Sequence, residues 1–307
     1  MKIAILGGTS QIAKDLTVSF SKNDRPQLYL FGRNLASLQS FLNSNNITKN
    51  CTLLAYDEIN NHKYDVIINF VGIGDPARLK EMGSDIFKIT EEYDNLALKY
   101  IKNNTKTKYI FLSSGSVYGG NYNEPVSENM DARIKINSLD SSDWYSIAKL
   151  YAEARHRSLN NFFIADLRVF NYFSHTQDIT SKFLITEIVR AIKEKSVLRT
   201  SPDNIIRDFI TPFDFHKIIQ IIIDTEKLNA AYDCYTKAPI SKFDLLLEIE
   251  KKFDFKYLVD DSYRNLNASG AKLNYYSNSR VLEEMDYFPK NSSLSGIIEE
   301  IELALKI

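Results

Sequence analysis

Short, continuously apolar runs alternate with helical patterns over the first two-thirds of the chain, and that rhythm leaves few folds open. Lys2-Ile3-Ala4-Ile5-Leu6, Leu28-Tyr29-Leu30-Phe31 and Thr52-Leu53-Leu54-Ala55-Tyr56 read as strands. So do Val66-Ile67-Ile68-Asn69-Phe70, Tyr109-Ile110-Phe111-Leu112 and Phe163-Ile164-Ala165-Asp166-Leu167-Arg168-Val169. Such runs are expected to be covered on both faces. Helical stripes lie between them, one through Ile12, Leu16 and Phe20, another through Tyr93, Leu96, Leu98 and Ile101. The prediction is an α/β fold, a doubly wound parallel sheet of Rossmann type.

Past about residue 170 the pattern loosens. It holds a helix from about residue 183 to 192, a polar stretch from Arg199 to Asn204, and an apolar helix opened by Ile210-Thr211-Pro212-Phe213-Asp214. A last helix carries Ile297, Ile301 and Leu305 on one stripe. The expected division is a nucleotide-binding domain over 1–170, with a return segment near 207–234. Residues 171–206 and 235–307 would form a smaller C-terminal substrate-binding lobe.

Several functions are excluded on composition. A formal net charge of -1 supplies no field for nucleic acid or an anionic membrane. Two cysteines cannot build a disulfide framework, and four scattered histidines offer no metal-ligand spacing. Met1 to Leu6 is cut short by Gly7 and Gly8, which leaves no signal-peptide core, and no run approaches the ~18 apolar residues of a membrane span. A reduced, cytoplasmic protein is expected.

Gly7-Gly8-Thr9-Ser10-Gln11-Ile12-Ala13 follows the first strand and opens a helix. In a doubly wound sheet that turn binds a pyrophosphate through backbone N–H groups at the helix N-terminus. Gly7, Thr9, Ser10, Gln11 and Ile12 are therefore the candidate contacts. Ala13 is an accepted variant of the third glycine, whereas Ser10 in place of the second is a departure. At the end of the second strand, Phe31-Gly32-Arg33-Asn34 holds no acid to bind ribose hydroxyls. Arg33 suits a 2′-phosphate instead, so NADP(H) is favoured over NAD(H). Asp57, beyond the third strand, is placed to accept from an adenine amino group.

Tyr145 and Lys149 stand four residues apart in Trp144-Tyr145-Ser146-Ile147-Ala148-Lys149, which puts them on one helical face. A cation beside a phenol favours the phenolate, which would move Tyr145 from about 10 toward neutrality. Upstream, Leu112-Ser113-Ser114-Gly115-Ser116-Val117-Tyr118-Gly119 ends the fifth strand, where open α/β sheets bind ligands. Together with the N-terminal turn, these motifs resemble the extended short-chain dehydrogenase/reductase family, and within it the nucleotide-sugar epimerases, dehydratases and ketoreductases. Asn69-Phe70-Val71-Gly72, Leu167-Arg168-Val169-Phe170-Asn171 and Arg207-Asp208-Phe209-Ile210, the last followed by Asp214, extend the likeness through most of the chain.

The resemblance implies that Tyr145 is the acid/base and that Lys149 holds the nicotinamide ribose. It implies that Ser114 hydrogen-bonds the reacting oxygen, with Tyr118 nearby on the substrate. Asn171 would meet the substrate diphosphate, and Arg207 a nucleotide phosphate. Dehydratases of the family carry an Asp-Glu pair where this chain has Gly115-Ser116, so dehydration is not expected. Reduction of a keto-sugar nucleotide is favoured by Arg33, because a reductase consumes NADPH. Epimerisation with tightly held NAD, or reduction of a non-nucleotide carbonyl, remains the alternative. The family often forms a homodimer through the helix bearing the tyrosine and lysine. Substrate loops are expected around Gly119–Ser142 and Asn265–Tyr276.

Overall fold

Every residue of β1 (Lys2–Leu6) after the first is buried, as a continuously apolar strand in a doubly covered sheet must be. The computed structural model describes residues 1–22, 26–72, 79, 81–120, 122–263 and 272–306. β2 (Gln27–Phe31), β3 (Cys51–Leu54), β4 (Val66–Asn69), β5 (Lys108–Ser114), β6 (Ile164–Val169) and β7 (Asn229–Asp233) complete a seven-stranded sheet. Its order is β7-β6-β5-β4-β1-β2-β3, with every pairing parallel. The order reverses between β1 and β4, whose carboxyl ends therefore open the crevice that receives ligands in such sheets.

The doubly wound prediction is met, with two adjustments to the strands. The third ends at Leu54 instead of Tyr56. There Ala55 N–H donates to the Glu58 carboxylate at 2.8 Å and turns the chain into the 3-10 helix Tyr56–Asn61. The seventh strand, Asn-Ala-Ala-Tyr-Asp, carried no apolar run and went unread; it joins the sheet edge by pairing with β6.

α1 (Gln11–Ser21) and α2 (Leu35–Ser44) cover one face of the sheet, and α3 (Asp85–Asn103) and α4 (Trp144–Arg157) cover the other. Beyond them come α5 (Leu184–Glu194), α6 (Pro212–Asp224), α7 (Lys242–Lys252) and α8 (Ser293–Lys306). α6 packs through Ile218, Ile219 and Ile222 into the same core as Leu16 and Phe20 of α1. At roughly 1.5–3 kcal/mol per buried aliphatic side chain, this seam holds α6 against the sheet. α5, α7 and α8 share a separate core around Ile188, Leu245, Ile249, Ile297 and Ile301. Among the described residues no helix is long and apolar enough to cross a membrane, and no cluster of His, Cys, Asp and Glu could hold a metal.

α4 differs from the other covering helices because its buried stripe is largely polar: Lys149, Glu153 and His156 lie among Ala148 and Ala152. Buried polar groups are costly unless paired. His156 is fully buried, its Nδ1 2.6 Å from Asp166 and its Nε2 2.8 Å from Asp94. Arg157 reaches Asp166 at 2.6 Å and Arg155 reaches Asp94 at 3.0 Å. Burial opposes the imidazolium, but the two carboxylates outweigh it and raise His156 to about 9. A raised folded-state pKa adds stability that is complete below the unfolded value near 6.5 and is lost as pH climbs through 9. The expected contribution is about 3 kcal/mol. Melting curves recorded from pH 6 to 9.5 should show wild type losing its advantage over His156→Gln across that window. Parallel curves for the two proteins would remove the charged imidazole from the fold's stability.

Candidate active site

Gly7 holds a φ of +75°, and a Cβ there would stand 2.9 Å from the Phe70 carbonyl carbon and the Val71 nitrogen. Only glycine lets β1 turn this close to the end of β4. Ser10 needs no such freedom, with φ -70° and ψ 153°, and its hydroxyl caps α1 by accepting from Ala13 N–H at 3.3 Å. That explains the missing second glycine: a serine cap does the work of the turn. The N–H groups of Gln11 and Ile12, the first two of α1, have no acceptor among the described residues. A helix N-terminus with outward donors fits an anionic pyrophosphate. The Gln11 side chain is already engaged, with Asp15 at 3.2 Å, Ser174 at 3.3 Å and Thr176, so only its backbone is offered. Thr9, Arg33 and Asp57 are exposed along the same rim.

At the other end of the crevice, Ser114 is the last residue of β5. Its hydroxyl accepts from Ser116 N–H at 3.2 Å and lies 3.2 Å from the Tyr275 hydroxyl. Tyr145, half-buried in the first turn of α4, shares a hydrogen bond with Ser114. Burial raises the phenol to about 12, and the Ser114 bond only partly offsets that. The expectation that Lys149 draws Tyr145 down toward neutrality is corrected here. Lys149 Nζ donates to the Leu112 carbonyl at 2.7 Å, sits 4.2 Å over the Phe111 ring, and stays 5.9 Å from the Tyr145 ring centre. Burial lowers this ammonium to about 8, against the pull of Asp94, Asp166 and Glu153. The three groups expected to converge do converge, but the phenol keeps its proton at neutral pH.

Two of the expected substrate contacts are spent elsewhere. Tyr118 is buried, and its hydroxyl donates to Asp233 at 3.0 Å and accepts from Arg168 at 2.7 Å, so it is a strut inside the fold. Asn171 Nδ2 donates to the backbone carbonyls of Asp208 at 3.2 Å and Tyr275 at 3.3 Å, which uses the donors a diphosphate would need. Arg207 is buried, and the carboxylate of its neighbour Asp208 accepts from Thr236 N–H at 2.8 Å and the Ser293 hydroxyl at 2.7 Å. The Arg207 guanidinium donates to Ile206 O at 2.9 Å and lies 5.8 Å from the Tyr275 ring. Burial lowers it to about 10, with Tyr275 working the other way. Lys272 stands 4.4 Å over the same ring. Arg207 and Lys272 thus place two cations on one tyrosine.

Tyr275 was missed by sequence reasoning. It falls in a stretch with no motif, and only the fold brings its hydroxyl to Ser114. Of the two expected substrate loops, residues 121 and 265–271 lie outside the described residues. Gly115, where a dehydratase would hold an acid, is packed so that a Cβ would meet the Phe170 ring at 2.3 Å.

Comparison with known proteins agrees with this geometry. The sequence model of the NAD-dependent epimerase/dehydratase family matches residues 3–234. No curated protein matches the chain. A UDP-glucose 4-epimerase from Stenotrophomonas maltophila, with bound NAD and formylated UDP-arabinopyranose, superposes with a TM-score of 0.80 at 13% identity, over 100% of this chain and 98% of that one. A UDP-glucuronic acid 4-epimerase from Bacillus cereus, in complex with UDP-glucuronic acid and NAD, gives 0.77 at 18% identity over 100% and 99%. A dTDP-glucose 4,6-dehydratase from Bacillus anthracis, in complex with NAD, gives 0.77 at 17% over 100% and 97%.

Proposed function

Because the chain belongs to the NAD-dependent epimerase/dehydratase family, we propose that it is a nicotinamide-dependent oxidoreductase that reduces a keto-sugar nucleotide. The observation that carries this reading is the placement of the Tyr145 phenol beside Ser114, at the carboxyl end of β5. When bound, the nicotinamide supplies a hydride. Tyr145 gives its proton to the substrate oxygen as negative charge develops there, and the Ser114 hydroxyl orients that oxygen. Lys149, still a cation below pH about 8, places positive charge beneath the site, where it suits the ribose of the bound dinucleotide. The second strand ends without an acid and with Arg33, which favours the phosphorylated dinucleotide and so supports reduction as the working direction. Gly115 packed against Phe170 leaves no room for the dehydratase's first acid.

Backbone donors of Gln11 and Ile12 would hold the pyrophosphate, and Arg33 with no second-strand acid supports NADP(H) over NAD(H). Arg207 and Lys272 on Tyr275 suit the diphosphate of a nucleotide-activated sugar. Incubation with NADPH and 4-keto sugars linked to UDP, dTDP, GDP or CDP should give NADPH oxidation with at least one of them. The parent nucleotide sugar should raise the melting temperature, as a ligand of the native state does. Interconversion of sugar epimers without net cofactor consumption would replace reduction by epimerisation. A melting point unmoved by every nucleotide sugar would remove that substrate class.

A further inference from the structure

Tyr56 takes no part in the chemistry described so far, yet its hydroxyl stands inside the dinucleotide crevice. From the first turn after β3 the side chain crosses the end of β2, where its ring stacks on Phe31 with centres 6.1 Å apart and planes at 28°. The hydroxyl then accepts the Gly7 N–H at the end of β1, at 3.1 Å. Tyr93 of α3 packs edge-on against the same ring, centres 4.6 Å apart. One phenol therefore joins the carboxyl ends of three strands, at the place where a second-strand carboxylate would meet an adenosine ribose. The chain has no such carboxylate, since Gly32 and Arg33 occupy its place.

A phenol oxygen that accepts one hydrogen bond keeps its own proton to donate. Among the described residues nothing accepts that proton from Tyr56. Burial pushes the phenol up to about 12, against the Gly7 N–H and the Arg33 guanidinium, so it stays a donor at neutral pH. Arg33 bears on Tyr93 in the same sense, which places the guanidinium and both phenols at one corner. A cation next to an uncommitted donor suits an anion.

We propose, building on the dinucleotide reading above, that Tyr56 determines cofactor specificity: its hydroxyl donates to the 2′-phosphate of the adenosine ribose, and Arg33 supplies the charge. The phenol takes the position of the missing acid and reverses its preference, from ribose hydroxyls to a phosphate.

Calorimetric titration with 2′,5′-ADP and with 5′-AMP isolates the 2′-phosphate, the one group by which the two fragments differ. Wild type should bind 2′,5′-ADP more tightly. Tyr56→Phe keeps the ring and should shrink that preference on the order of tenfold, the loss of one hydrogen bond to a charged group, with 5′-AMP little changed. Equal weakening of both fragments would mean that Tyr56 only supports the Gly7 turn, and it overturns the proposal, as does an unchanged ratio. Arg33→Ser, at an exposed position, carries the same test without risk to the fold, and it too must shrink the ratio. If wild type binds 5′-AMP and NADH as well as their 2′-phosphorylated counterparts, the proposal fails while the dinucleotide reading stands. Binding of no dinucleotide or fragment removes both.

Discussion

Replacing Tyr145 by phenylalanine should lower turnover by 10²–10⁴-fold, the usual loss for a positioned acid/base, while the affinity for the dinucleotide stays near that of wild type. The phenol is set up for this by its surroundings. Burial raises it to about 12, so at neutral pH nearly every molecule carries the proton that a reduced carbonyl oxygen requires. Ser114, rigid at the end of β5, hydrogen-bonds it from the strand side. The variant keeps the ring and loses the proton donor alone, so α4 should remain in place and the melting temperature should hold. Steady-state rates and fluorescence titration with NADPH, measured on one preparation, separate the two effects. A variant that retains more than a tenth of wild-type turnover would take Tyr145 out of proton transfer, and a matching loss of cofactor affinity would make it a binding residue.

How far the site could be read from the chain depends on how local each signal is. The sheet was legible because each of its first six strands carries an apolar run, as a doubly covered sheet demands. β7 escaped because an edge strand of Asn-Ala-Ala-Tyr-Asp needs only one neighbour and carries little apolar side chain. Ser114, Tyr145 and Lys149 were found through their motifs, but their electrostatics were not. Helical spacing puts Lys149 on the face of Tyr145, whereas the Leu112 carbonyl draws the ammonium beneath it. Tyr118 shows the opposite failure. Proximity to Ser114 in sequence suggested the substrate, but the 3-10 turn Gly115–Tyr118 swings its side chain inward to Asp233. Tyr56 and Tyr275 belong to no local pattern at all. They reach Gly7 and Ser114 from 49 and 161 residues away, distances over which only a folded chain carries information.

The inward turn of Tyr118 leads to the largest stability effect expected here, from Glu153→Ala. Glu153 follows Lys149 by one helical turn and is buried against the sheet. Its carboxylate accepts from Arg168 Nη2 at 2.6 Å and Nε at 3.0 Å, and from the Ser113 hydroxyl at 2.5 Å. Arg168 continues to Tyr118 at 2.7 Å, Tyr118 to Asp233 at 3.0 Å, and Ser277 donates to Asp233 at 2.6 Å. Burial alone would disfavour the Arg168 cation, and Glu153 is the first of the groups that reverse this and raise it. Removing that carboxylate leaves the half-buried Arg168 guanidinium and the buried Ser113 hydroxyl without their main partner, which costs about 3–5 kcal/mol. For a chain of this size that is roughly a 10 °C fall in melting temperature. Glu153→Gln keeps an acceptor oxygen and the side-chain volume, so it should lose less. The damage should also reach the active site, because Ser277 anchors the segment that carries Tyr275 to Ser114. Thermal denaturation of the two variants, with turnover measured below the lower melting point, tests both effects. A loss under 1 kcal/mol for Glu153→Ala would mean that the network breaks even against solvent, so that Arg168 is held by packing instead of charge.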